Sequence, residues 1–192
     1  MSDNEEGRKR IHPEMLVGVS AVLIGLCALA VSLYETRLMR SEQRSAVLPM
    51  LELSRSYYAN DRDEDAANWR LLLQAENVGI GPARVQDFRV FVDGEPRATW
   101  DDAMRALIER DEPVFYGQST INGRTIPPDR MVTMFNLNDT ELARELVQEF
   151  DRLDFEACFC SVFDECWVTS YSGFGTTEPV EACERSDDSF TE

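Results

Sequence analysis

The chain opens its hydrophobic pattern with an uninterrupted apolar run. From Met15 to Tyr34 (MLVGVSAVLIGLCALAVSLY) twenty residues pass without a charge. As a helix they span about 30 Å, the thickness of a bilayer's hydrocarbon core. A buried soluble helix would show a polar stripe at 3.6-residue spacing. Here the polar side chains are Ser20, Cys27, Ser32 and Tyr34, which can bond back to their own helix or sit near its end. The pattern predicts a transmembrane helix over 15–34, preceded by a short charged arm over 1–14. A helical linker over 35–48 follows it. In the linker Arg37, Arg40 and Arg44 fall at i, i+3 and i+7 and share one face, where they could meet lipid headgroups or simply stand in water.

Beyond the linker the period shifts towards two. Met50, Glu52 and Ser54 alternate with Leu51, Leu53 and Arg55, predicting a strand over 49–58. Further strands are expected over 69–76, 84–92 and 130–136, and over 153–162 paired with 166–172. Asp93-Gly94 and Asn122-Gly123 are turn signals. Two helices interrupt the strands. One spans 100–110, with Met104, Leu107 and Ile108 at helical spacing. The other runs from a cap at Asp139 or Thr140 through Arg152, with Leu142, Leu146, Val147 and Phe150 as its apolar stripe. Residues 112–126 give no clear period. The fold class expected is mainly β with helical insertions, a sandwich over 49–183 behind the N-terminal helix. The polar stretch 184–192 reads as a disordered acidic tail.

Two features could change the membrane reading. Arg8, Lys9 and Arg10 with Ala28-Leu29-Ala30 resemble a cleavable signal peptide. The apolar run, however, outlasts the usual h-region of about 7–15 residues and continues past that site. A lipoprotein signal would carry a small residue before Cys27, and Leu26 stands there. For orientation, three basic residues precede the helix and three follow it, so the positive-inside count is nearly balanced. Keeping a short basic arm inside and exporting the domain is the simpler event. It places the chain in the cytoplasmic (inner) membrane with the domain periplasmic or extracytoplasmic.

Charge narrows the partners. The net charge is −17. Residues 1–44 hold six acidic and six basic groups, so the whole excess belongs to the domain. Such a surface is repelled by nucleic acid and by anionic lipid. The acidity also suits a saline habitat. Asp61-Arg62-Asp63-Glu64-Asp65 is the densest acidic run and reads as a solvated hairpin loop, since no EF-hand spacing accompanies it.

Four of five cysteines come late: Cys158, Cys160, Cys166 and Cys183. In an exported domain they suggest disulfides. Cys158 and Cys160 share one strand face and are badly placed to bridge each other. Cys160–Cys166 across the hairpin, and Cys158 or Cys166 to Cys183, are the options. Zinc is a rival, although the spacing lacks the usual knuckle and no histidine is near. Buried free thiols are a third option.

Candidate catalytic groups are scarce. The single histidine, His12, precedes the apolar helix, so the domain has no Ser-His or Cys-His pair. Tyr171-Ser172-Gly173-Phe174-Gly175 reads as a strand end with a turn, or as an aromatic contact loop.

The stretch LLLQAENVGIGPARVQDFRVFVDG contains Asn77-x-Gly79-x-Gly81-Pro82-Ala83. It resembles a corner found in uncharacterised bacterial single-pass envelope proteins, and more loosely immunoglobulin-like adhesion modules. The resemblance covers about 24 residues. It implies an Ig-like β-sandwich and carries no activity. Gly79 and Gly81 are expected to supply backbone angles closed to other residues, Pro82 to fix φ, and the Asn77 amide to bond backbone across the corner. A phosphate-binding glycine loop is the poorer reading, because no helix follows.

These features together favour a membrane-anchored, non-catalytic binding or assembly module. Its expected partners are the lipid bilayer and another envelope protein, with no cofactor, small-molecule substrate or nucleic acid. An accessory or sensory subunit with a cytoplasmic domain is the alternative, and a carboxylate-dependent hydrolase a weaker one.

Overall fold

The computed structural model describes residues 13–59, 69–108, 114–173, 175–186 and 188–191. The acidic run Asp61–Asp65, the arm with Arg8, Lys9, Arg10 and His12, and Phe174 lie outside the described residues. The chain divides into two compact units, 1–45 and 46–192.

The first unit is one helix, Pro13–Ser45 (α1). Its Glu14–Arg40 segment is long and apolar enough to cross a membrane, and none of that surface is buried within the protein. The hydroxyl of Ser20 donates to the Val17 carbonyl at 2.9 Å, and that of Thr36 to Ser32 at 2.8 Å. Both hydroxyls are thereby satisfied inside the helix, as an apolar solvent demands. The linker is helical only to Ser45. Residues 48–50 are extended, and Pro49 is buried.

The second unit is built on two open antiparallel sheets. One has the order β1-β2-β7-β5, from Leu51–Ala59 (β1), Trp69–Asn77 (β2), Arg130–Leu137 (β7) and Gly117–Gln118 (β5). The other has the order β10-β9-β8-β3-β4, with a short strand β6 also paired to β3. Its members are Ala83–Val92 (β3), Glu95–Arg97 (β4), Thr125–Ile126 (β6), Leu153–Cys160 (β8), Cys166–Ser170 (β9) and Thr177–Val180 (β10). Period-two alternation turns Leu51, Leu53, Leu71 and Leu73 of the first sheet inward, with Phe88, Val90, Phe155 and Phe159 of the second. All are buried in one core. The Asp93-Gly94 turn holds both residues at positive φ, +55° and +79°, as a two-residue hairpin requires.

Trp100–Leu107 (α2) is capped by the Thr99 hydroxyl, which accepts from Asp102 N. It ends three residues before the expected boundary. Its Trp100 ring lies 5.0 Å from Phe135 of the first sheet and 6.5 Å from Phe88 of the second, bridging the layers. Thr140–Gln148 (α3) is capped by Asp139, and a 3₁₀ turn, Phe150–Arg152, completes the stretch expected to be helical to Arg152. Asp139 takes the cap because its carboxylate reaches Leu142 N at 3.1 Å.

The C-terminal stretch departs from its expected disorder. Phe190 is 3% exposed and packs edge-on against Phe88 at 5.6 Å and Trp100 at 4.9 Å. Its N–H donates to the Phe88 carbonyl at 2.8 Å, and Thr191 N to Ala98 at 2.7 Å. A single aromatic within a polar stretch therefore recruits the tail to the core. Burying one such ring is worth about 1.5–3 kcal/mol.

Candidate functional site

The corner at 77–83 is a structural junction. The β1–β2 pairing of Leu51 with Asn77 continues beyond both strands, through Val78 N to Met50 O at 2.8 Å and Ile80 N to Leu48 O at 3.1 Å. Asn77 is fully buried and its amide is fully used. Its Oδ1 accepts from Met50 N and Gly79 N, and its Nδ2 donates to the carbonyls of Gly81 at 2.8 Å and Ile126 at 2.9 Å. The glycines are needed for a reason different from the expected one. Neither Gly79 nor Gly81 has positive φ. A Cβ on Gly79 would instead collide with Met50 N and Leu48 O, and one on Gly81 with Val47 O. Their place in the sequence is set by the incoming chain at 47–50, which lies directly on the corner. The paired residues Leu48, Met50, Val78 and Ile80 remain exposed on one face of this ladder.

A cleft of about 670 Å³ is lined by Arg55, Asp93, Gly94, Phe150, Asp151, Arg152, Leu153, Asp154, Tyr171 and Ser172. Most of its charge is already committed. Arg152 grips Asp93 with two parallel bonds of 2.9 and 2.6 Å, adds Glu149 at 3.1 Å, and donates to the carbonyls of Ala106 and Leu107. This arginine ties the β3–β4 turn to the end of α2. Hydrogen bonding from Arg152 holds the Asp93 carboxyl below its ordinary value, and the Arg152 guanidinium is raised in turn. Asp154 accepts from Ser172 through both its N–H, at 3.0 Å, and its hydroxyl, at 2.6 Å.

Arg55 is different. Its guanidinium lies over the Phe150 ring at 4.2 Å and faces Tyr171 at 5.6 Å. It makes no ion pair among the described residues, and it lines the cleft. Tyr171 stacks on Phe155 at 4.9 Å, and on the same strand as Arg55 the Tyr57 ring stacks on Trp69 at 6.2 Å. Arginine, tyrosine and tryptophan are the residues that most often dominate binding energy at interfaces. The sequence carried a signal for Arg55. It occupies the inward phase of β1 after Leu51 and Leu53, where a charge is out of place unless something meets it. Phe150 and Tyr171 had no such signal, since their meeting depends on the packing of the 3₁₀ turn against the turn that follows β9.

The late cysteines all gather on the outer face of the second sheet. Cys158 pairs with Cys183 and Cys160 with Cys166, so the two same-face neighbours are bridged elsewhere. The second bridge closes the β8–β9 hairpin, whose register sets Cys160 opposite Cys166. The first ties the stretch that follows β10 and carries Cys183, the C-terminal strap, to β8. The sulfurs of Cys160, Cys166 and Cys183 all lie within 4.8 Å of one another. Arg37, Arg40 and Arg44 stand exposed on the continuous helix α1.

Compared with known proteins, the chain matches no family model and shows no significant similarity to a curated protein.

Proposed function

We propose that this chain is a single-pass membrane-anchored, non-catalytic module that binds or assembles with another protein of the cell envelope. In this reading the domain lies on the outer side of the cytoplasmic membrane and is a distant relative of Ig-like sandwiches. The observation that carries it is the Arg55 cleft. An inward-phase guanidinium without a counter-ion among the described residues, floored by Phe150 and Tyr171 and flanked by Tyr57 and Trp69, has the chemistry of an interface anchor. The apolar helix supplies tethering. The lack of histidine in residues 13–192 argues against the commonest acid–base and nucleophile–base catalysis.

The test is crosslinking in native membranes, comparing wild type with Arg55→Ala, Tyr57→Ala and the exposed control Arg105→Ala. A partner captured by wild type and Arg105→Ala but lost from the other two supports the reading. Equal capture by all four chains overturns it. A domain facing the cytoplasm is the second reading, favoured by the arginines at 37, 40 and 44. Labelling intact cells with a membrane-impermeant thiol reagent after mild reduction decides the side. Labelling that requires lysis establishes the cytoplasmic arrangement.

A further inference from the structure

The two disulfides do more than staple the domain. The Sγ of Cys183, bonded to Cys158, lies only 3.7 Å from the Sγ of Cys160, which is bonded to Cys166. Two separate bridges therefore meet sulfur to sulfur. Their accessibility is unequal. Cys158, Cys160 and Cys166 are 7%, 4% and 7% exposed, whereas Cys183, on the strap, is only partly buried. Thiol–disulfide exchange proceeds by attack of a thiolate on a sulfur it can reach, and access selects which sulfur is attacked.

We propose that these four cysteines form a thiol–disulfide relay, in which a dithiol reductant moves Cys183 from Cys158 to Cys160. In the first step one thiolate of the dithiol attacks Cys183 Sγ. The Cys158–Cys183 bond breaks, and Cys158 leaves and takes up a proton. The second thiol of the reductant then attacks the mixed disulfide, releasing Cys183 and closing the reductant's own disulfide. In the last step the Cys183 thiolate attacks Cys160 Sγ across the 3.7 Å gap. The Cys160–Cys166 bond breaks, the Cys160–Cys183 bond forms, and the proton lost by Cys183 ends on Cys166. One dithiol is oxidised, one protein disulfide remains, and Cys158 and Cys166 are thiols.

The exchange needs no unfolding, because the two bridges already meet within the folded domain. A remaining Cys160–Cys166 bridge closes a separation of 6 residues, whereas Cys160–Cys183 closes 23. Both loops are already ordered in the folded domain, so loop length, which acts through the unfolded chain, does not oppose the longer bridge. The exchange also keeps the strap attached, two residues along β8 from its first anchor. The relay is independent of any partner at the Arg55 cleft, so either can fail alone.

The full-length Cys27→Ser protein in detergent micelles provides the test. It is treated with one equivalent of dithiothreitol, quenched with acid, alkylated and mapped by mass spectrometry without reduction. The expected products include a one-disulfide species that carries Cys160–Cys183 with Cys158 and Cys166 alkylated. A Cys158→Ser variant, left with three late cysteines, is expected to populate Cys160–Cys183 with a free Cys166. One-disulfide species restricted to the native pairs overturn the relay. So does untreated protein that carries four free thiols and one zinc ion per chain.

Discussion

The ring of Phe190 meets that of Trp100 edge-on at 4.9 Å, which joins the last residues of the chain to the side chain bridging both sheets. Phe190 is thus part of the core. Phe190→Ala is expected to cost about 3–5 kcal/mol, the range for a large aromatic lost from a packed interior. Urea unfolding of the variant in micelles, followed by tryptophan fluorescence, reads the loss directly. A cost below about 1 kcal/mol, as at a surface site, would show that the tail is dispensable.

Asn77 offers a second test, because it holds the domain's first residues. Asn77→Ala leaves Met50 N, Gly79 N and two carbonyls without the amide. Each buried group left unmet costs about 1–3 kcal/mol. Limited proteolysis should then cut near Val47 faster than in wild type. Gly81→Ala should do the same by pushing Val47 off the corner. Unchanged cleavage in both variants would separate the corner from the docking of 47–50.

Tyr116 gives an alkaline signature. Burial first, and a hydrogen bond from its hydroxyl to Asp101 at 2.9 Å second, raise its pKa from 10.0 to about 12. The folded state therefore favours the neutral phenol. Its contribution is fully present below pH 10 and is lost as pH rises towards about 12. Tyr116→Phe should flatten the fall in stability across that window. Thermal melts of both proteins from pH 9 to 12 show whether the slopes differ.

Asp93 acts at the other end of the scale. Its carboxyl is held below the ordinary 3.8 by Arg152, so its contribution is present above that value and is lost as pH falls through the lower folded value. Asp93→Asn should be less stable than wild type at neutral pH, with the gap closing as the pH falls below 3.8 through the lower folded value. Both groups are solvent-facing, so the gap should also shrink in high salt. Acid titrations at low and high ionic strength provide the measurement.

The sequence by itself determined whatever rests on local periodicity and chain statistics. Twenty charge-free residues at 15–34 suffice for a helix able to cross a membrane. Strict alternation and a turn pair such as Asp93-Gly94 suffice for the long strands and their hairpin. Caps at short range, such as Asp139, followed from the same local chemistry. Only the tertiary structure decided what depends on residues far apart meeting in space. Gly79 and Gly81 look like turn glycines until the backbone of 47–50 is seen against them. Phe190 looks like part of a polar tail until a gap beside Trp100 receives it. The sequence offered Cys160–Cys166 across the hairpin and Cys158 or Cys166 to Cys183, and the choice among them followed from the hairpin register and the path of the strap. Arg55 lies between these cases. Its inward phase was legible from the strand alone, but the rings that hold its guanidinium come from residues 150 and 171, and only packing brings them there.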